Sequence, residues 1–178
     1  MNASLVSSRR GLLAGAAAAV SLVALSGCGF ELRKPPVFAF KSIAVRGSSA
    51  MVNLIRRNLK AAGTVTVIEG GKADEPISAL QADAVFEVLA EDRSRLVVST
   101  NSVGLVRDVE LLYRFRFKLT APGGKELLGP TTIEQRRDLT YNETNALAKE
   151  SEAELLYRDM QNDVAQQVLR RLGAVKQL

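Results

Sequence analysis

The chain has 178 residues and a formal charge of +5; 47% of the residues are hydrophobic and 24% are charged, which excludes disordered and multi-span membrane proteins. It has no histidine and a single cysteine, Cys28, so Ser-His-Asp catalysis, His-ligated metal sites, internal disulfides and Cys-rich zinc sites are excluded. The basic excess favours an anionic partner.

Residues 1–27 have the pattern of a secretory signal peptide. A basic start with Arg9 and Arg10 precedes an uncharged, mostly apolar run at 11–25, which is too short and alanine-rich for a convincing transmembrane span. The exit motif Leu25-Ser26-Gly27-Cys28 resembles the bacterial lipobox, so we predict that residues 1–27 are removed and that Cys28 is lipidated.

The residue after the predicted lipidated cysteine is Gly29 and not an aspartate. In this it resembles lipoproteins that are sorted to the outer membrane. The stretch SRRGLL around Arg9-Arg10 is typical either of a twin-arginine signal or of an ordinary basic start, so the export route stays open. Removing residues 1–27 lowers the charge from +5 to +3, because the removed piece holds two arginines and no acid.

Residues 28–36 are predicted to form a lipidated tether, stiffened by Pro35-Pro36, and residues 37–178 to form one domain. That domain begins with a strand at 38–45, an amphipathic helix at 50–62 and a β-branched strand at 64–68. Ser48 and Ser49 are candidate caps, and Gly63 is a candidate stop signal. These elements predict a β-α-β unit.

The sequence after a polar connection at 70–82 predicts mostly antiparallel strands. A strand at 84–92 is expected to turn at Arg93-Ser94 into 95–100, and a polar loop then leads to a long strand that includes 111–120. A turn at 122–124 precedes a strand at 126–141 that is interrupted at Gly129-Pro130.

A long helix is predicted from about residue 145 to 172. The apolar stripe consists of Leu155, Leu156, Met160, Val164, Val168, Leu169 and Leu172, and the opposite face of Glu154, Arg158, Gln161, Gln166 and Arg170. The fold class expected is α+β, with two helices packed on one face of a roughly four-stranded, mostly antiparallel sheet.

The stretch LLYRFRFKLT at 111–120 alternates apolar and polar residues and places three cations, Arg114, Arg116 and Lys118, on one sheet face. The first interpretation is cross-strand pairing with Glu87 and Glu91, which are expected on the same face. The others are an anion site and docking to a partner protein. Nucleic acid is not expected, because the aromatic residues are buried and the chain is exported; lipopolysaccharide is the abundant polyanion of a Gram-negative envelope.

The serines and threonines have no histidine to activate them, and no Gly-rich phosphate loop is present, so we expect neither an enzyme nor a cofactor.

The chain resembles the LPS-assembly lipoprotein family (LptE). The resemblance is carried by GCGFELR at 27–33, by the order of elements, by ALAK at 146–149 and by LRRL at 169–172. It implies an outer-membrane lipoprotein with two helices on a four-stranded sheet that plugs the lumen of a large β-barrel (LptD), helps it assemble and binds lipopolysaccharide.

The resemblance also implies two basic positions for lipopolysaccharide. One matches Lys149, for which a solvated helix lysine is the alternative interpretation. The other falls in the loop before the long strand, where this chain has Ser102 near Gly104 and no cation; Arg95 or Arg107 are substitutes there. The alternative function is a scaffold or pilot lipoprotein of another envelope machine without lipopolysaccharide binding.

Overall fold

The computed structural model describes residues 36–69 and 81–176. The signal peptide, Cys28, nearly all of the tether and most of the 70–82 connection lie outside the described residues. The elements in chain order are β1 (Ser42–Val45), α1 (Ala50–Ala62), β2 (Thr66–Glu69), β3 (Ala84–Thr100), β4 (Val106–Thr120), β5 (Glu126–Thr140), a 3-10 turn (Glu143–Asn145) and α2 (Ala146–Gly173).

The first three elements form the expected β-α-β unit. Helix α1 has the predicted bounds because its local signals are strong: the Ser49 hydroxyl accepts from the Val52 N–H, and Gly63 ends the helix in the left-handed region at φ 67°. Strand β1 is shorter than predicted, although Phe38 and Phe40 before it are buried. Strands β1 and β2 pair in parallel.

The five-stranded sheet has the order β2-β1-β3-β4-β5. β1 pairs in parallel with both β2 and β3, whereas β3, β4 and β5 form an antiparallel meander. The expected interruption at Gly129-Pro130 is present as a register shift, since Phe117 faces Thr131 but Leu119 faces Leu128. The predicted α+β class is confirmed, with one strand more than expected and a mixed sheet.

Both helices cover the same face of the sheet. Their buried side chains, such as Ile55 of α1 and Met160 of α2, join Phe86, Tyr113 and Phe115 of the sheet in one hydrophobic core. The opposite face of the sheet is called the open face below; its cations and acids lie on β3, β4 and β5.

The predicted turn at Arg93-Ser94 is wrong, because β3 runs without a break from Ala84 to Thr100. Arg93 lies in the strand and donates to Glu154 of α2, with its guanidinium 5.0 Å from the Tyr157 ring centroid. The polar residues that suggest a turn in the sequence are thus strand residues with partners on the helix.

The predicted faces of α2 are wrong at two residues. Gln161, expected in solvent, is 8% exposed and lies beneath the helix, whereas Leu155, expected in the apolar stripe, is 56% exposed. The buried stripe includes Ala153 and Tyr157 instead, because the side of α2 that carries them faces the sheet.

Candidate functional site

The three cations of β4 lie on the open face, as the alternation predicts. The residues that alternate with them, Tyr113, Phe115 and Phe117, have no exposed surface and pack beneath the helices. Since neighbouring strand residues point to opposite faces, Arg114, Arg116 and Lys118 project away from the core. β4 is flanked by β3 and β5, so each cation faces residues from both neighbouring strands.

Two of these cations are held by acids of neighbouring strands. Lys118 Nζ lies 3.1 Å from Glu87 Oε2 on β3, and Arg114 Nη2 lies 3.0 Å from Glu134 Oε2 on β5. Hydrogen bonds from Arg136 and then from Arg114 lower the pKa of the Glu134 carboxyl. For these two cations the structure supports the pairing interpretation, with Glu134 as a partner that the sequence did not indicate.

Arg116 is the exception on the open face. It is exposed, it stands between Ala90 of β3 and Thr132 of β5, and it has no ion pair within the part of the chain that the structure describes. Arg116 is therefore the cation of the β4 row that is available to an external anion.

Glu91 does not lie on the open face, and the prediction that placed it there is wrong. A register shift between Val88 and Ala90 adds one residue to β3, so the alternation reverses beyond it. Glu91 faces the helices and accepts hydrogen bonds from Tyr113 Oη (2.8 Å) and from Ser49 Oγ (2.8 Å).

Lys149 lies in the first turn of α2, on the helix side of the sheet, so the structure does not bring it together with the β4 cations. Its Nζ lies 2.8 Å from Glu152 Oε2, and its side chain is 23% exposed. The adjacent Glu150 receives two hydrogen bonds from Arg95 of β3, at 2.6 and 2.7 Å. Those bonds lower the pKa of the Glu150 carboxyl and hold the start of α2 against the distal half of β3.

A group of exposed apolar side chains surrounds this end of the molecule. We call it the apolar end; it consists of Leu96, Val97, Val98, Val103 and Leu105 of the β3–β4 hairpin and of Leu147 in the first turn of α2. Leu96 is 62% exposed and Leu147 is 83% exposed. The sequence signal for it is the run Leu96-Val97-Val98, because three consecutive apolar residues of a strand cannot all face one core.

The loop position without a cation lies within this apolar end. Ser102 is exposed beside Gly104, which adopts φ 84° in the turn. Of the two proposed substitutes, Arg95 is bound to Glu150, whereas Arg107 is exposed and has no ion pair among the described residues.

Within residues 36–69 and 81–176, no cluster of three or more histidine, cysteine, aspartate or glutamate side chains is arranged to hold a metal ion. The same residues contain no helix long and apolar enough to cross a membrane.

Comparison with known proteins gives a consistent result. The model of the family described as LptE, lipopolysaccharide-assembly, matches residues 37–172. The LPS-assembly lipoprotein LptE of Yersinia enterocolitica is 26% identical over 163 residues, which are 88% of this chain and 73% of that protein.

Two solved structures of lipoproteins share the fold. The solution NMR structure of an uncharacterized lipoprotein B from Nitrosomonas europaea is 28% identical, with a TM-score of 0.66 over 82% of this chain and 91% of that one. The crystal structure of the rare lipoprotein B from Shewanella oneidensis is 26% identical, with a TM-score of 0.59 over 75% of this chain and 92% of that one. With the family match spanning nearly the whole described domain, the chain belongs to the lipopolysaccharide-assembly family LptE.

Proposed function

We propose that the chain is an outer-membrane lipoprotein, held by acyl groups on Cys28, that plugs and helps assemble the lipopolysaccharide-transport β-barrel LptD. The family match over residues 37–172 carries this proposal. The domain lies on the periplasmic side or within the barrel lumen, and its role is binding and assembly rather than catalysis.

We further propose that the domain binds lipopolysaccharide during the insertion of lipopolysaccharide into the outer leaflet. Lipopolysaccharide carries phosphates beside acyl chains, so a matching surface needs cations beside exposed apolar groups. The apolar end offers this pairing, because Lys149 and Arg107 lie at the same end of the molecule as Leu147 and Val103. Arg114, Arg116 and Lys118 are a second candidate site on the open face, where Arg116 is the cation left without an acid.

The barrel partnership is tested by purifying the acylated chain from detergent-solubilised envelopes. A large barrel protein is expected to copurify in equal amount. Recovery of the chain alone, or with a secretin or a cell-wall enzyme, would instead support a scaffold or pilot lipoprotein. Depletion distinguishes the two as well, since loss of the transport role reduces surface lipopolysaccharide and loss of a pilot role does not.

Direct lipopolysaccharide binding is tested with single charge reversals. Lys149→Glu and Arg116→Glu address the two candidate sites separately, and each is expected to weaken binding at least fivefold if its site is used. The matched control is Arg158→Glu, an exposed arginine of α2 without an ion pair in the described residues. Unchanged affinity in both folded variants would remove lipopolysaccharide contact from these residues.

Acylation is tested by mass spectrometry of the N-terminal peptide. The wild-type peptide is expected to carry diacylglycerol on Cys28, and Cys28→Ala to abolish it. A wild-type peptide without lipid would refute the lipobox assignment.

A further inference from the structure

A basic groove lies at the end of the domain opposite the apolar end. It has a volume of about 430 Å³ and is formed by the start of β5, the residue before it and the segment at the end of α2. Its cations are Lys125, Arg171 and Lys176, and its apolar residues include Leu127, Leu128 and Val175.

Among the described residues that line the groove, basic side chains outnumber acidic ones. These residues include three cations and one acid, Glu126. Lys125 and Lys176 are exposed, whereas Arg171 is half-buried and donates to the Thr132 carbonyl oxygen at 3.3 Å. Cationic groups next to apolar side chains favour a surface that supplies both anionic head groups and hydrocarbon.

The chain enters the domain beside this groove. Pro36, the first described residue, packs against Gly173 at the end of α2, because a Cβ added to Gly173 would lie 3.3 Å from Pro36 Cβ. The next residue, Ala174, lines the groove. The Thr64 hydroxyl also donates to the Pro36 carbonyl oxygen at 2.9 Å. A fully extended chain from Cys28 to Pro36 spans only about 28 Å.

We propose that the basic groove docks on the surface of an anionic phospholipid bilayer, the one into which Cys28 is anchored. The proposal rests on the proposed lipid anchor for its geometry, because the short connection keeps this end of the domain near the bilayer. Docking by the groove fixes the orientation of the domain, with the apolar end directed away from the anchoring leaflet.

The test uses residues 28–178 with Cys28→Ser, so that binding does not depend on acylation; this chain contains the whole of the described core. Vesicles of phosphatidylcholine with roughly 30% phosphatidylglycerol provide an anionic surface that attracts basic segments. Binding to these vesicles is compared with binding to vesicles of pure phosphatidylcholine. Lys125→Gln with Lys176→Gln is expected to weaken binding to the anionic vesicles at least tenfold.

The matched control is Arg57→Gln with Arg158→Gln, two exposed arginines of α1 and α2. It removes the same charge elsewhere and is expected to change binding less than threefold. An equal loss in both variants would show attraction by net charge alone and overturn the proposal. So would equal binding to neutral vesicles, or binding that requires lipopolysaccharide in the vesicles. Since no acyl group or barrel is involved, these outcomes are independent of the proposed function.

Discussion

At the scale of single residues, Glu91 connects three elements of the fold. Its carboxylate accepts from Tyr113 Oη of β4, from Ser49 Oγ at the cap of α1 and, at 3.4 Å, from Gln161 Nε2 of α2. Burial first, and then the bond to Glu91, raise the pKa of the Tyr113 hydroxyl above its usual range, so the tyrosine stays a donor. The extra residue in β3 at Leu89 places Glu91 at this junction.

We predict that Glu91→Ala destabilises the domain by about 1–3 kcal/mol, because it leaves the buried Tyr113 hydroxyl without its acceptor. The free energy of unfolding in urea measures the effect. Asp92→Ala is the matched control, since Asp92 is exposed on the open face and has no hydrogen bond or ion pair within the described residues. Equal stability of the two variants would contradict the role given to Glu91.

Asp83 ties the start of β3 to the start of β1. Its Oδ2 accepts from the N–H groups of Lys41 and Ser42, each at 2.9 Å, and its own N–H donates to Ser42 Oγ at 2.9 Å. The backbone N–H of Lys41, and next that of Ser42, lower the pKa of the Asp83 carboxyl below 3.8.

We predict that the stability difference between the wild type and Asp83→Asn depends on pH. The folded pKa is below the unfolded one, so the ionised carboxylate stabilises the fold above pH 3.8 and this contribution is lost as the pH falls through the folded pKa. Unfolding in urea at pH 6, 4 and 3 measures it, with the difference largest at pH 6. A difference that stays constant down to pH 3 would mean that the charge of Asp83 does not contribute.

At the scale of elements, the sequence predicts α1 to the residue because its signals are local. Ser49, Gly63 and the spacing of Met51, Ile55 and Leu59 all lie within the helix or at its ends. Strand β3 is different, because Arg93 and Ser94 look like turn residues until Glu154 of α2 is placed beside Arg93.

The candidate site shows the same division. The alternation of β4 correctly places its three cations on one face, but their partners depend on the register of three strands. The register shift at Leu89 moves Glu91 to the other face, and pairing with β5 brings in Glu134, which is distant in sequence. Neither the register shift nor the pairing with β5 can be predicted from a short stretch of the sequence.

The edges of the sheet are protected unequally. The β5 edge carries Pro130 and a run of charged residues at 136–138, which discourage pairing with another chain. Strand β3 pairs with β1 only over Ala84–Phe86, so its distal edge has no strand partner within the described residues. That edge holds no proline or charge from residue 96 to 100.

We predict that Val97→Lys slows aggregation of the purified, partner-free domain, because a charge on an unpaired edge opposes strand addition. Val97 is exposed, so the far-UV circular dichroism and the melting temperature are expected to change little. Light scattering over time at fixed concentration measures aggregation. The control is Thr140→Lys on the β5 edge, which already carries proline and charged residues, and it is expected to have little effect. An equal slowing of aggregation in both variants would show that net charge, and not the unpaired β3 edge, controls aggregation.

At the scale of the whole molecule, the apolar end and the basic groove are far apart. Helix α2 (Ala146–Gly173) has 28 residues and a length of about 42 Å. It separates Leu147 of the apolar end from Ala174 of the basic groove. The described chain begins beside the groove, so the proposed lipid anchor on Cys28 is expected at the end of the domain opposite the apolar end. The open face with Arg116 lies between them.

This arrangement predicts different neighbours for the two ends in the envelope. A photoreactive amino acid at Val103 is expected to crosslink to the barrel or to lipopolysaccharide. The apolar end is exposed and distant from the proposed lipid anchor, so we expect a partner other than the phospholipid head groups to cover it. The same group at Lys176 is expected to crosslink to phospholipid. Adducts are identified by mass spectrometry, and Arg158 on the middle of α2 provides a reference position. Phospholipid adducts at Val103 with none at Lys176 would reverse the orientation, whereas a barrel adduct at both positions would place the basic groove against protein and leave the family function intact.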